Sequence, residues 1–273
     1  MSKSLIPIII FSSLIIWGCK NQTEEKSKTV EKKTYSTPVI NYSLHGSFPH
    51  DTNAFTEGFL IHNGEFYEST GAMEGLSQTR SLFGILDTTT GVIDTKVELD
   101  RNKYFGEGIV FLHDKIYQLT YKSKTGFVYD ANTFDKLQEF TIPSKEGWGM
   151  TTDGKSIIMS DGTNNLYFLD SETLRVNKTL PVSDNGYAKD FLNELEYING
   201  YVYANIWGTT KIAKIDIETG IVQGEINLRS LAEDAYYTYN GSLEMNGIAY
   251  DSISETIFIT GKMWPKVYKI KLH

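Results

Sequence analysis

The side chains best suited to chemistry recur at one position of a repeated segment. Five stretches open on Glu57 (EGFLIHNGEFYEST), Glu107 (EGIVFLHDKIYQLT), Trp148 (WGMTTDGKSIIMSD), Asn193 (NELEYINGYVYANI) and Asn246 (NGIAYDSISETIFITG). A second equivalent position, where the next strand ends, holds Gly71, Tyr121, Gly162, Trp207 and Lys262. Taken singly, each residue is ordinary: a Glu at a strand end is usually solvated, a Trp packs, a Lys lies on the surface. Equivalence in a repeat changes that, because equivalent positions converge when repeats are arranged around an axis. Acids, carboxamides, indoles and an ammonium at one mouth make a concave site with a few convergent polar groups. The oxygens of Glu57, Glu107, Asn193 and Asn246 are also of the kind that binds Ca²⁺. A calcium-dependent hydrolase of the lactonase type and a non-catalytic binding domain therefore both stay open at this level. Other chemistries are excluded. A single cysteine, Cys19, allows neither an internal disulfide nor a Cys-rich zinc site. The five histidines, His45, His50, His62, His113 and His273, show no metal-site spacing. The net charge of −8 argues against nucleic acid as a partner.

The elements that must position these residues are short strands. The segment starts lie 50, 41, 45 and 53 residues apart, within the range of β-propeller blades. Each segment reads as two strands, followed by a third: FGILDTTTG at 83–91, FVYDANTF at 127–134, LYFLDSETL at 166–174, IAKIDIETG at 212–220 and VYKIKL at 267–272. Four of the five continue into a fourth strand (VIDTKVEL, KLQEFTI, RVNKTLPV, IVQGEINL), and the chain ends before a fifth. Residues 39–47, VINYSLHGS, are expected to supply it and close the ring, leaving no open edge. The predicted fold is all-β: a five-bladed β-propeller over residues 38–273, closed by an N-terminal strand that completes the last blade. High aromatic content (13%) and 23 glycines suit strands and tight turns. Residues 229–240, RSLAEDAYYTYN, break the repeat and read as a short helix and loop, whose Tyr236, Tyr237 and Tyr239 suit either the rim of a pocket or plain packing.

The N-terminus reads as an address. Residues 5–16 are an apolar run too short to span a bilayer but suited to a signal peptide. Trp17-Gly18-Cys19 follows, resembling a bacterial lipoprotein signal, with residues 1–18 removed and Cys19 lipidated. Residues 19–37 then form a polar tether. The expectation is a monomeric domain in the cell envelope of a bacterium, meeting the membrane through its lipid anchor alone.

The motifs AFTEGF (54–59), FGEG (105–108), EGWGMTTDG (146–154), LNELEYINGYVYANIW (192–207) and NGIAYD with TGKMWP (246–265) occur together and in order. They resemble the plant-type glutaminyl-peptide cyclotransferases, which have bacterial members. The resemblance covers residues 38–273. It implies a five-bladed propeller and conversion of N-terminal glutamine to pyroglutamate with release of ammonia. It also implies site roles: Glu107 as the catalytic acid, with Asn193 and Lys262 in the catalytic set, and Phe55, Trp148 and Trp207 as the walls of the substrate slot. The family usually reads FTQG where this chain reads FTEG, so Glu57 stands for a glutamine near the substrate. Asn246 completes the substrate-binding set. The implied reaction is intramolecular, needs no enzyme nucleophile and no cofactor. A structural Ca²⁺ is compatible with it. Peptides or proteins beginning with glutamine are the expected partners.

Overall fold

The structure is a computed structural model that describes residues 36–273; the signal segment, Cys19 and most of the tether lie outside the described residues. The chain opens with β1 (Tyr42–Pro49) and then lays down four blades in succession. Blade one is β2 (Thr56–His62), β3 (Glu65–Thr70), β4 (Leu82–Leu86) and β5 (Ile93–Glu98). Blade two is β6 (Gly106–Leu112), β7 (Lys115–Thr120), β8 (Thr125–Asp130) and β9 (Lys136–Thr141). Blade three is β10 (Met150–Thr152), β11 (Ser156–Met159), β12 (Asn165–Asp170) and β13 (Val176–Pro181). A small hairpin, β14 (Ser183–Asp184) with β15 (Tyr187–Ala188), precedes blade four: β16 (Leu192–Ile198), β17 (Tyr201–Ile206), β18 (Lys211–Asp216) and β19 (Val222–Asn227). After α1 (Arg229–Thr238), blade five is β20 (Met245–Asp251), β21 (Thr256–Gly261) and β22 (Lys266–Leu272), with β1 as its outer strand.

The burial pattern explains the stacking. Inner strands are largely buried: all seven residues of β6 are buried, Glu107 among them. Outer strands alternate or turn polar, as in β9, where most residues are exposed. Five apolar clusters fill the five interfaces between neighbouring blades. Between blades two and three, for example, Val110, Tyr117 and Leu119 pack against Met150, Ile157 and Met159. The third strand of four blades ends in an aspartate, Asp87, Asp130, Asp170 or Asp216, whose Oδ1 accepts backbone N–H groups two and three residues on. This local hydrogen-bonded turn is what returns the chain for the fourth strand.

Ring closure follows the expected plan with one shift. β1 pairs with β22 from Tyr42↔Leu272 to Pro49↔Lys266. The closing strand is therefore 42–49 and not 39–47. The apolar Val39 and Ile40 serve the neighbouring blade instead. Ile40 N–H donates to Glu225 O and Pro38 O accepts from Glu225 N, at 2.8 Å each. Ile40 lies over Gly224, whose missing side chain makes room for it. The insert at 229–240 is a helix over Arg229–Thr238, close to the expected span.

Candidate active site

Inner strands approach so closely around the axis that four of the five segment-opening residues, Glu57, Glu107, Trp148 and Asn246, are followed by glycine. A Cβ on Gly58 would lie 2.9 Å from Ile109 N, one on Gly108 2.6 Å from Met150 N, and one on Gly149 2.1 Å from Asn193 O. Asn246 Nδ2 donates to Thr56 O at 3.0 Å and completes the circuit from blade five to blade one. Glu57, Glu107, Trp148, Asn193 and Asn246 thus stand around one axis at one end of the ring. The register of the inner pairs, such as Gly106↔Thr120 and Leu192↔Ile206, sets the ends of the second strands at that same end, with Trp207 and Lys262 just beyond them.

The polar floor is built on Glu57. Its Oε1 accepts from Lys262 Nζ at 2.7 Å and its Oε2 from Asn246 Nδ2 at 3.0 Å. All three residues are buried. Lys262 Nζ also stands 4.5 Å from the centre of the Phe55 ring, a favourable cation–π arrangement. The Glu107 carboxylate has no hydrogen-bond partner among the described residues, although the residue is buried; its main-chain oxygen is held by Ser69 Oγ at 2.5 Å. Asn193 Oδ1 and Asn246 Oδ1 are also buried without a partner. One ammonium cannot neutralise two buried carboxylates. Burial pushes Glu57 up to about 7 against the pull of Lys262. Burial, and then the charge of Glu57, raise Glu107 well above the usual carboxylate range. Burial opposes the charge on Lys262, but Glu57 and Glu107 outweigh it and raise its pKa.

The walls are aromatic. Trp148 lies over Gly162, where a side chain would collide with the indole (2.6 Å from a Cβ). Gly162 also has φ +79°, so both sterics and backbone require glycine there. Trp148 and Trp207 meet edge to face, centroids 6.2 Å apart. Phe55 meets Phe105 in the same way at 5.9 Å, and Phe105 is seated on Gly71 as Trp148 is on Gly162. The two indoles differ in one respect: Trp148 Nε1 donates to Glu146 Oε2 at 3.0 Å, whereas the Trp207 N–H has no acceptor among the described residues. Of the pair, only Trp207 has a free donor. The tyrosines of the insert divide as well: Tyr236 and Tyr237 on α1 are exposed, while Tyr239, just after it, lies against Gly241.

Comparison with known proteins places this geometry. Residues 12–272 match the protein family described as glutamine cyclotransferase. A glutaminyl-peptide cyclotransferase of Arabidopsis thaliana is 41% identical over 98% of this chain and 82% of its own length. The chain belongs to the glutamine cyclotransferase family. A crystal structure of Myxococcus xanthus glutaminyl cyclase superposes with a TM-score of 0.78 at 29% identity, over 87% of this chain and 98% of that one.

Two features of this cyclotransferase-family site escaped the sequence reading. The first is a buried ion pair beneath the cup. His50 Nε2 donates to both carboxylate oxygens of Glu68 at 3.0 Å, and its Nδ1 donates to Trp264 O at 2.6 Å. Both nitrogens face acceptors, so the ring carries both protons. Burial alone would lower His50; the charge and hydrogen bond of Glu68 reverse that and raise it. Thr56 Oγ1 donates to Glu68 Oε1 at 2.7 Å. The pair therefore ties the turn after Lys262 to the strand that carries Phe55 and Glu57. The second is Glu194. Its blade-equivalents are Gly58, Gly108, Gly149 and Gly247, so it is the one side chain at a glycine position, a signal readable from the aligned repeats. Its carboxylate reaches across the axis and accepts from Phe59 N (3.3 Å) and Ile248 N (2.8 Å). It joins blades one, four and five just below the site.

Proposed function

We propose that this member of the glutamine cyclotransferase family closes the N-terminal glutamine of peptides or proteins into pyroglutamate, with Glu107 moving the proton. The observation that carries the assignment is a buried carboxyl without a partner, set beside a buried ammonium–carboxylate pair and two indoles. In the reaction the substrate α-amine attacks its own γ-amide carbon. A five-membered lactam forms, the C–N bond to the amide nitrogen breaks and ammonia leaves. One proton must pass from the attacking amine to the departing nitrogen. A neutral Glu107 with a free amine, and an ionised Glu107 with an ammonium, hold the same number of protons. The raised pKa of Glu107 brings its proton affinity nearer to that of an amine, which suits a group that gives and retakes one proton. Negative charge builds on the γ-oxygen. Lys262 has ammonium hydrogens beyond the one donated to Glu57, and Trp207 and Asn193 add uncommitted donors. The buried Asn193 Oδ1 is an acceptor suited to the substrate amine. Phe55, Trp148 and Trp207 confine the short side chain in an attacking geometry.

Glu57 spends both oxygens on Lys262 and Asn246, so the lysine ammonium already serves as the cation of this cup. That arrangement favours metal-free cyclisation over a calcium-dependent hydrolase. A glutamine-initiated dipeptide incubated with the protein in the presence of a chelator should release ammonia. No ammonia would reject the activity, and a loss seen only with chelator would restore the metal reading. For the N-terminus, we infer removal of residues 1–18, lipidation of Cys19 and display in a bacterial envelope. Incorporation of a labelled fatty acid that is lost in Cys19→Ser would support this, and labelling that persists in Cys19→Ser would reject it.

A further inference from the structure

Among the described residues, the exposed large aromatic side chains are Tyr187, Phe191, Trp207, Tyr236 and Tyr237. All five fall in connections at the site end of the ring. The pairings Leu192↔Ile206 and Lys211↔Asn227 set the segments flanking blade four at that end. Two of the five continue the wall of the cup. Trp207 touches Trp148 on its inner side, and on its outer side the Phe191 ring lies 5.9 Å away at 38°. Exposure rises outward along this row: Trp148 is half-buried, Trp207 is 42% exposed and Phe191 is 51% exposed.

Phe191 is fixed and not incidental to a loose loop. Its N–H donates to Gly162 O and its carbonyl accepts from Trp207 N–H, both at 2.9 Å. Its φ is +66°, a left-handed conformation that a bulky residue rarely adopts and that must be held by its surroundings. The main chain of Phe191 is thus clamped between the glycine under Trp148 and the backbone of Trp207 itself. The carbonyl bond recurs at the equivalent Phe55 and Phe105, so what sets Phe191 apart is its left-handed backbone and a ring left half in water, whereas Phe55 is buried.

We propose that Trp207 and Phe191 form a subsite for the side chain of the substrate's second residue, and that it selects aromatic and large apolar residues there. The proposal rests on the cyclisation reading. Cyclisation leaves the peptide bond after glutamine intact, so the second residue sits immediately outside the cup while the glutamine side chain fills it. An aromatic side chain at that place extends the Trp148–Trp207–Phe191 row and covers its exposed outer faces, gaining burial and ring–ring contact. A glycine at that position gains neither.

The test compares Gln-Phe and Gln-Gly dipeptide amides as substrates of the full-length protein and of Phe191→Ala and Phe191→Leu. The wild-type protein should prefer Gln-Phe by kcat/KM. Phe191→Ala should lower the Gln-Phe to Gln-Gly ratio roughly tenfold, and Phe191→Leu should recover part of it. A ratio unchanged in Phe191→Ala, with both peptides still turned over, overturns the subsite and leaves the cyclisation reading standing. Failure of the wild-type protein to turn over either peptide overturns the cyclisation reading, and the subsite with it.

Discussion

Two buried charge clusters lie within one wall of the ring, and they are built on opposite principles. In the His50–Glu68 pair, both ring nitrogens and both carboxylate oxygens have partners, supplied by each other, Trp264 O and Thr56 Oγ1. In the cup above it, Glu57 and Lys262 are paired, but among the described residues Asn193 Oδ1, Asn246 Oδ1 and Asn205 Nδ2 are buried without partners, and the Glu107 carboxylate accepts no hydrogen bond. A buried polar group without a hydrogen bond costs about 1–3 kcal/mol. A fold keeps such a deficit only where something else makes it good. The satisfied cluster holds elements in place, and the unsatisfied one is, on the proposed function, left for the substrate to complete.

This contrast can be broken from either side. The largest effect is expected at Glu107. Glu107→Gln removes the proposed proton carrier and relieves a buried acid, so kcat should fall by about 10²–10⁴-fold while the thermal midpoint holds or rises. Full activity in this variant would remove Glu107 from the chemistry. Glu68→Gln should act the other way. It leaves the His50 charge buried and unpaired, at a cost of about 3–5 kcal/mol in stability, read as a lower urea midpoint, with activity in the folded fraction less affected. The pH dependence has a definite sign. The folded pKa of His50 is raised, so the stability from this pair is fully present below the unfolded value near 6.5 and is lost as pH rises through the folded value. The gap between wild type and Glu68→Gln should therefore narrow in alkali. An equal gap at all pH values would mean that His50 is uncharged in the fold. The smallest effect is expected at Glu57. Its charge is one of the causes that raise Glu107, so Glu57→Gln should move the acid limb of the kcat/KM profile to lower pH. An unmoved limb would show that the two carboxyls do not sense each other.

Much of this was readable from sequence because repeats convert distance along the chain into place around an axis. The starts Glu57, Glu107, Trp148, Asn193 and Asn246 required only alignment of the five segments, and the missing fourth strand of the last blade pointed to the N-terminus. The exact closing strand was not readable. Val39 and Ile40 are as apolar as any strand, and only the surface over Gly224 decides that they lie against blade four. The His50–Glu68 pair carries no spacing signature, since it forms across a turn between two blades. The commitment of the Trp148 N–H to Glu146 depends on a rotamer, which no repeat encodes. Glu194 was readable in principle, as the one carboxylate in a column of glycines.

The pairing of β1 with β22 carries a consequence for biosynthesis. Lys262 and Asn246 belong to the blade whose outer strand comes from residues 42–49 and whose neighbouring strand comes from 266–272. Four blades can fold as they emerge from the ribosome, but the fifth cannot be completed until residues 266–272 have been made. A nascent or prematurely terminated chain then holds Glu107 and both indoles without the lysine's finished support. On the proposed mechanism such a chain is inactive, and competence arrives only once residues 266–272 have joined β1.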